Sequence, residues 1–136
     1  SLGGVVSLLA ARDHELPVQR IVCLGSPLTG SGAARAVQGR GLGFGMGRSA
    51  RVLLKGLEQA PPHREIGAIA GTLEVGLGRV FGTFDGPHDG TVAVAETRLS
   101  GLVDHCEIRA THMGLLVSRQ AAEAVANFLR AGRFAG

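Results

Sequence analysis

Apolar and polar positions divide the chain into short hydrophobic runs separated by glycine-rich turns. Gly3 to Ala11 is small and apolar, and it runs into the polar Arg12-Asp13-His14-Glu15. Its length and Leu/Ala content predict a buried helix, ended by Pro17. Arg20 to Leu24 is a continuous apolar run closed by Gly25-Ser26-Pro27, the pattern of a buried parallel strand. The stretch 28–62 differs in texture: a Gly30-Ser31-Gly32 turn, a short helix over about 33–38, and glycines at every second position from Gly39 to Gly47. A second helix is predicted over Ser49–Gln59, with Val52, Leu53 and Leu57 on one face and Pro61-Pro62 as its stop. Glu65 to Gly71 alternates and predicts a second strand. Thr91 to Leu99 is open between strand and helix, and Asp104 to Ala110 predicts a third strand. A last helix over about Leu116–Arg130 places Val117, Ala121, Val125, Phe128 and Leu129 on one face. This alternation predicts an α/β fold with a parallel sheet. Three strands are few for a sheet covered on both faces, so part of the sheet is expected to lie outside this chain.

Composition narrows the function. A chain of 136 residues holds at most one domain, and its 22 glycines are about twice ordinary usage. The apolar runs are only a few residues long, far short of the roughly 20 a membrane-spanning helix needs. Ser1 is not Met, and no basic segment precedes an apolar run. The chain is therefore expected to start after processing or inside a longer protein, with the cytoplasm the favoured compartment. The net charge of +3 comes from 13 arginines and Lys55 against 11 acids. The arginines are scattered and lack interleaved aromatics, so no nucleic-acid partner is expected. Cys23 and Cys106 have no C-x-x-C partner and read as buried free thiols. His88, His105, Cys106 and His112 lack zinc-ligand spacing, and no metal or other cofactor is expected. The glycine stretch matches neither G-x-G-x-x-G nor a P-loop. A flexible cover over a substrate, or a plain loop, suits it better.

The chemistry starts at Ser1. A nucleophile elbow, G-x-S-x-G, needs glycine around the serine because the strand-to-helix turn is too tight for side chains. Gly3 supplies the downstream half, and Gly4 and Ala10 suit a helix packed close to a sheet. A serine nucleophile needs a base, and the base needs an orienting carboxylate. Asp89 follows the second predicted strand and His112 the third, so both belong at the carboxyl end of the sheet. Ser1 could instead be an arbitrary first residue, or a nucleophile using its own amine, although that class is built on antiparallel sheets. His88 and His105 compete with His112, the first as a loop residue and the second inside a strand. Asp85 competes with Asp89, since both precede glycine and both suit a turn.

Four segments resemble those of the α/β-hydrolase superfamily, of the bacterial lipase/esterase kind. Ser1-Leu2-Gly3-Gly4 is similar to its H-S-L/M-G-G elbow. Leu24-Gly25-Ser26-Pro27-Leu28-Thr29-Gly30-Ser31 resembles its G-T/S-P-x-x-G-S turn. Asp89-Gly90-Thr91-Val92 resembles the N-D-G-x-V segment carrying the triad acid. Thr111-His112-Met113-Gly114-Leu115-Leu116 resembles the S/T-H-x-G-L/M segment carrying the triad histidine. The resemblance spans the whole chain and marks a superfamily, not a substrate. It departs from the pattern where the upstream strands and one oxyanion-hole donor would lie. Leu28 stands where many lipases have histidine, and no aromatic lid is evident.

The resemblance implies that residues 1–136 are the C-terminal part of one α/β-hydrolase domain, truncated at the elbow. Its parallel strands would carry flanking helices and a cap inserted at 28–62. Ser1 would be nucleophile, His112 base and Asp89 orienting acid, with the Leu2 backbone N–H giving half of the oxyanion hole. Leu28, Val52, Leu53 and Leu57 would wall an acyl pocket for an ester or lipid substrate. Without the N-terminal half of its domain the chain alone is expected to be inactive. Acyltransferase, thioesterase and amidase share the triad, and a degenerate hydrolase fold could serve as a non-catalytic binding module.

Overall fold

The computed structural model describes residues 1–32, 34–35, 49–75, 84 and 86–135, apart from the side chains of Ser49, Ala50 and Leu53. The predicted helix at 33–38 and the alternating glycines at 39–47 lie largely or wholly outside the described residues.

The central element is a strand of small residues. β2 (Glu65–Gly71) lies between β1 (Arg20–Leu24) and β3 (Asp104–Ile108) in a parallel three-stranded sheet, order β1-β2-β3. Arg20 pairs with Glu65 and Gly67 with Asp104 at the start of each ladder. Every β2 residue from Ile66 to Gly71 is buried, because helices cover both faces. Alternation along the strand sorts its side chains. Ile66 and Ala68 join Val5, Leu8, Cys23, Leu28 and Leu57 on one face. Ile69 joins Ile108, Leu115, Ala121, Phe128 and Phe134 on the other. At Gly67 a Cβ would lie 2.6 Å from the Phe134 ring and 2.7 Å from that of Phe128, so only glycine admits these two rings.

α1 (Leu2–Asp13) covers the first face. It packs so closely that a Cβ on Gly4 would overlap the Ser26 hydroxyl. Arg64 donates to the Ala11 carbonyl in its last turn, to that of the His14 cap, and to those of Leu16 and Val18 in the segment that follows, pinning the helix exit. α4 (Arg119–Ala131) covers the second face. The Ser118 hydroxyl accepts the Ala121 N–H at its start, and Gly132 closes it at φ 75°. Arg20 donates to the Leu129 and Arg130 carbonyls and pairs with Glu65 at 2.6 Å, fastening this helix end to the sheet.

Three element boundaries differ from the sequence expectation, each for a local reason, and the stretch left open takes one of its two forms. α2 is Ser49–Lys55 and stops before Gln59. Gly56 adopts φ 62°, which ends the helix, and the Leu57 N–H turns inward to the Leu28 carbonyl at 2.7 Å. The ambiguous stretch at 91–99 contains a short helix, α3 (Val94–Thr97). β3 stops at Ile108, where the Ala110 N–H folds back onto the Ile108 carbonyl at 2.7 Å. α4 begins at Arg119 rather than near Leu116, because a 3₁₀ turn (Gly114–Leu116) and the Ser118 cap precede it. Val117 therefore lies outside the helix and is 87 % exposed, and Leu129 is 48 % exposed. The buried face is carried by Ala121 and Phe128, with Ala124 and Val125 packed beside them.

Candidate active site

The carboxyl ends of all three strands converge on one place. Gly25 follows β1, Gly71 ends β2, and the loops after β2 and β3 bring Asp89 and His112 together. Asp89 Oδ2 lies 2.8 Å from His112 Nδ1, and the Asp89 side chain is 1 % exposed against 17 % for His112. The other carboxylate oxygen accepts the N–H groups of Thr91 (2.9 Å) and Val92 (2.7 Å), while the Asp89 N–H donates to the Val92 carbonyl. This Asx-type turn needs no tertiary contact to form. A backbone bond from the His112 N–H to the Asp89 carbonyl, 2.9 Å, then ties the two loops together. An ionised carboxylate only accepts, so the Nδ1 facing it carries a proton. His112 Nε2 is then the nitrogen with a free lone pair, the form a general base requires.

Two glycines make room for this pair. A Cβ on Gly25, itself at φ 51°, would stand 3.1 Å from His112 Nδ1 and 3.2 Å from Asp89 Oδ2. A Cβ on Gly71 would stand 2.7 Å from the Asp89 Cβ. From the sequence, Gly25 closes an apolar run and Gly71 is the last residue of a predicted strand. Their signal was position, a glycine ending an apolar strand run, but what they accommodate is a residue 18 or more positions away.

Ser1 precedes α1 at the same edge of the sheet. Its backbone nitrogen donates to the carbonyl of Leu24, the last residue of β1, at 2.9 Å. The Ser1 hydroxyl caps no helical N–H, an unusual state for serine at that position, and it stands exposed. No hydrogen bond joins it to His112 among the described residues. The Leu2 N–H is the first of the helix and has no intrahelical acceptor.

The competing residues sit elsewhere. His88 Nδ1 accepts the Gly90 N–H at 3.1 Å, and its ring stacks on Phe84 with centroids 4.5 Å apart. Its Nε2 faces Glu74 at 3.9 Å, so it braces the loop beside Asp89 without bonding that carboxylate. His105 meets the Thr97 hydroxyl through Nε2 at 2.8 Å, and its Nδ1 is buried without a partner among the described residues. Burial lowers its pKa and Arg98 adds to this, against Glu107 and Asp104. Asp85 lies outside the described residues.

Of the residues expected to wall a pocket, Leu28 is completely buried and Leu57 nearly so. Both belong to the core under α1, with Val52 packed against it. Leu28 turns inward because the chain folds back after Pro27, its N–H bonding the Ser26 carbonyl at 2.9 Å. It thus offers no surface to a ligand. The Leu53 side chain lies outside the described residues. Burial pushes the thiols of Cys23 and Cys106 up to about 11. Both stay protonated near neutrality and are poor nucleophiles.

Among the described residues no group of three His, Cys, Asp or Glu could hold a metal ion. None of their helices is long and apolar enough to cross a membrane. Compared with known proteins, the chain matches no family model, no curated protein and no solved structure.

Proposed function

We propose that this chain is the C-terminal part of an α/β-hydrolase domain that cleaves carboxylic esters. The observation that carries the reading is the buried Asp89 carboxylate, 2.8 Å from His112 Nδ1, at the carboxyl edge of a parallel sheet where the Ser1 backbone is also anchored. Ser1 Oγ attacks the ester carbonyl, and His112 Nε2 takes its proton and later hands it to the leaving alcohol. Asp89 holds the imidazole tautomer and stabilises the imidazolium. The tetrahedral oxyanion lies against the Leu2 N–H, whose direction also uses the positive end of the α1 dipole. Water then repeats the attack on the acyl-enzyme and frees the acid. Met113, Leu116 and Val117 follow His112 in the chain and are 68 %, 69 % and 87 % exposed. That apolar surface favours an ester with a hydrocarbon group over a small hydrophilic one.

The test is Ser1→Ala in the protein that contains this chain, assayed on a short-chain nitrophenyl ester. Removing a triad nucleophile is expected to lower kcat by about 10⁴-fold or more. Retention of full turnover would overturn the mechanism. Acyl transfer and thioester cleavage use the same three groups, and product analysis with alcohol or thiol acceptors separates them from hydrolysis.

A further inference from the structure

We infer that Glu96 is a positioning residue for the Asp89–His112 pair, and that it couples this pair to the base of the 28–62 segment. The inference rests on the proposed triad for its catalytic meaning, but its geometry stands without it.

Glu96 sits in α3, seven residues after Asp89, and is buried. A buried carboxylate is costly unless its oxygens are satisfied, so its partners show what it is for. Oε2 accepts the Ala93 N–H at 3.0 Å. Oε1 accepts the Gly32 N–H, 64 residues away in sequence. The Glu96 main-chain carbonyl accepts the Thr29 N–H at 3.1 Å and is approached by the Thr29 hydroxyl at 3.3 Å. One residue thus links the Asp89 turn to the Thr29–Gly32 turn that opens the 28–62 stretch.

The path from Glu96 to the site is short and made of hydrogen bonds. Glu96 holds Ala93, the neighbour of Val92. Val92 donates to the Asp89 carboxylate at 2.7 Å and accepts the Asp89 N–H at 3.1 Å. Asp89 then orients His112 through its free oxygen and its carbonyl. The far end of α3 is fixed separately: the Thr97 hydroxyl bonds the Val94 carbonyl at 2.7 Å and His105 at 2.8 Å. Without the Glu96 side chain, the Asp89 turn keeps its internal bonds and the backbone bond from Thr29 to the Glu96 carbonyl, but loses the side-chain ties to Gly32 and Ala93 that fix its position against the segment after β1. A displacement of about 1 Å at a catalytic group can cost on the order of 100-fold in rate, without any change in what the substrate touches.

The test compares Glu96→Ala, Glu96→Gln and Gly32→Ala in the protein containing this chain. Gly32→Ala reaches the same carboxylate from the other end, since its Cβ would stand 2.9 Å from Glu96 Oε1. Two readouts are used: kcat against KM per fluorophosphonate-titrated site, and the downfield proton resonance of the His112 Nδ1–H bonded to Asp89. For Glu96→Ala, kcat is expected to fall about 10- to 100-fold with KM nearly constant, and the proton resonance to shift or broaden away. Glu96→Gln, which keeps one acceptor oxygen, should recover part of both. Gly32→Ala should move both in the same direction by less, and non-additively with Glu96→Gln. Ile66→Val, which loosens the core without touching this path, should leave both readouts where they are. Folded Glu96→Ala with unchanged kcat and an unchanged His112 proton overturns the inference. If Glu96→Ala does not fold, Gly32→Ala decides by the same two readouts. Should Ser1→Ala keep full activity, the hydrolase reading fails, and the proton resonance still reads the positioning.

Discussion

The Asp89–His112 pair and Ser1, the proposed nucleophile, are held in opposite ways. Asp89 is gripped by the N–H groups of Thr91 and Val92, by its own N–H on Val92, and by the His112 side chain and backbone. Ser1 is anchored by its backbone bond to Leu24 and by the close seating of α1 at Gly4. Its hydroxyl is exposed and caps nothing. The pair is held by hydrogen bonds within and between its loops, whereas the position of Ser1 depends on where a whole helix docks. A defect in helix docking should therefore move Ser1 and spare the pair, and a defect in the Asp89 turn should do the reverse.

The largest effect that probes this contrast is Asp89→Asn. The amide cannot hold the required tautomer, so kcat on a nitrophenyl ester should fall about 10⁴-fold. Ser1 should still react with a fluorophosphonate, though far more slowly, and the far-ultraviolet circular dichroism should be unchanged. Equal activity in this variant would remove Asp89 from the mechanism.

Gly4→Ala is expected to act on the other half. The new Cβ meets Ser26 and lies 3.2 Å from the Cys23 Cβ, an overpacking that costs about 1–3 kcal/mol. Urea denaturation should show that loss, while the His112 Nδ1–H resonance persists. Gly3→Ala is the matched control, because a Cβ there meets nothing within 4 Å. It should be neutral or stabilising by up to about 1 kcal/mol through helix propensity. Equal destabilisation by both would show that α1 docking is not limited at Gly4.

The smallest effect concerns Cys23, on the sheet face beneath α1. Its thiol is buried and its pKa is raised to about 11 from an ordinary value near 9. The folded state then holds the proton where the unfolded state releases it. The stability this contributes is complete below about pH 9 and is lost as pH rises towards about 11. Denaturation midpoints at pH 8 and pH 10.5 should differ in that direction, and Cys23→Ala should reduce the difference, leaving the part due to Cys106, whose thiol is raised likewise. Iodoacetamide should label native Cys23 slowly at pH 8.

Several features were legible in the chain because they depend on neighbours in sequence. β1 matches the apolar run and β2 the alternating stretch that predicted them, although β1, at the sheet edge, buries only Cys23 fully while the central β2 is buried from Ile66 to Gly71. The Asp89 turn is local chemistry, a carboxylate bonding N–H groups two and three residues on. The limits of α2 and α4 were less legible. Each depends on a single backbone event, the positive φ of Gly56 and the Ser118 cap, that periodicity does not see. Leu28 looked like a pocket residue because an apolar side chain reads alike in a core and in a cleft.

The sequence by itself determined the α/β alternation and the parallel strands, because these follow from the spacing of apolar residues and from local turn chemistry. Only the tertiary structure decided which histidine meets Asp89, that Gly25 and Gly71 exist to admit that meeting, and that Glu96 reaches Gly32 across 64 residues. Those contacts join segments distant in the chain. They depend on sheet order and helix docking, which no local pattern encodes.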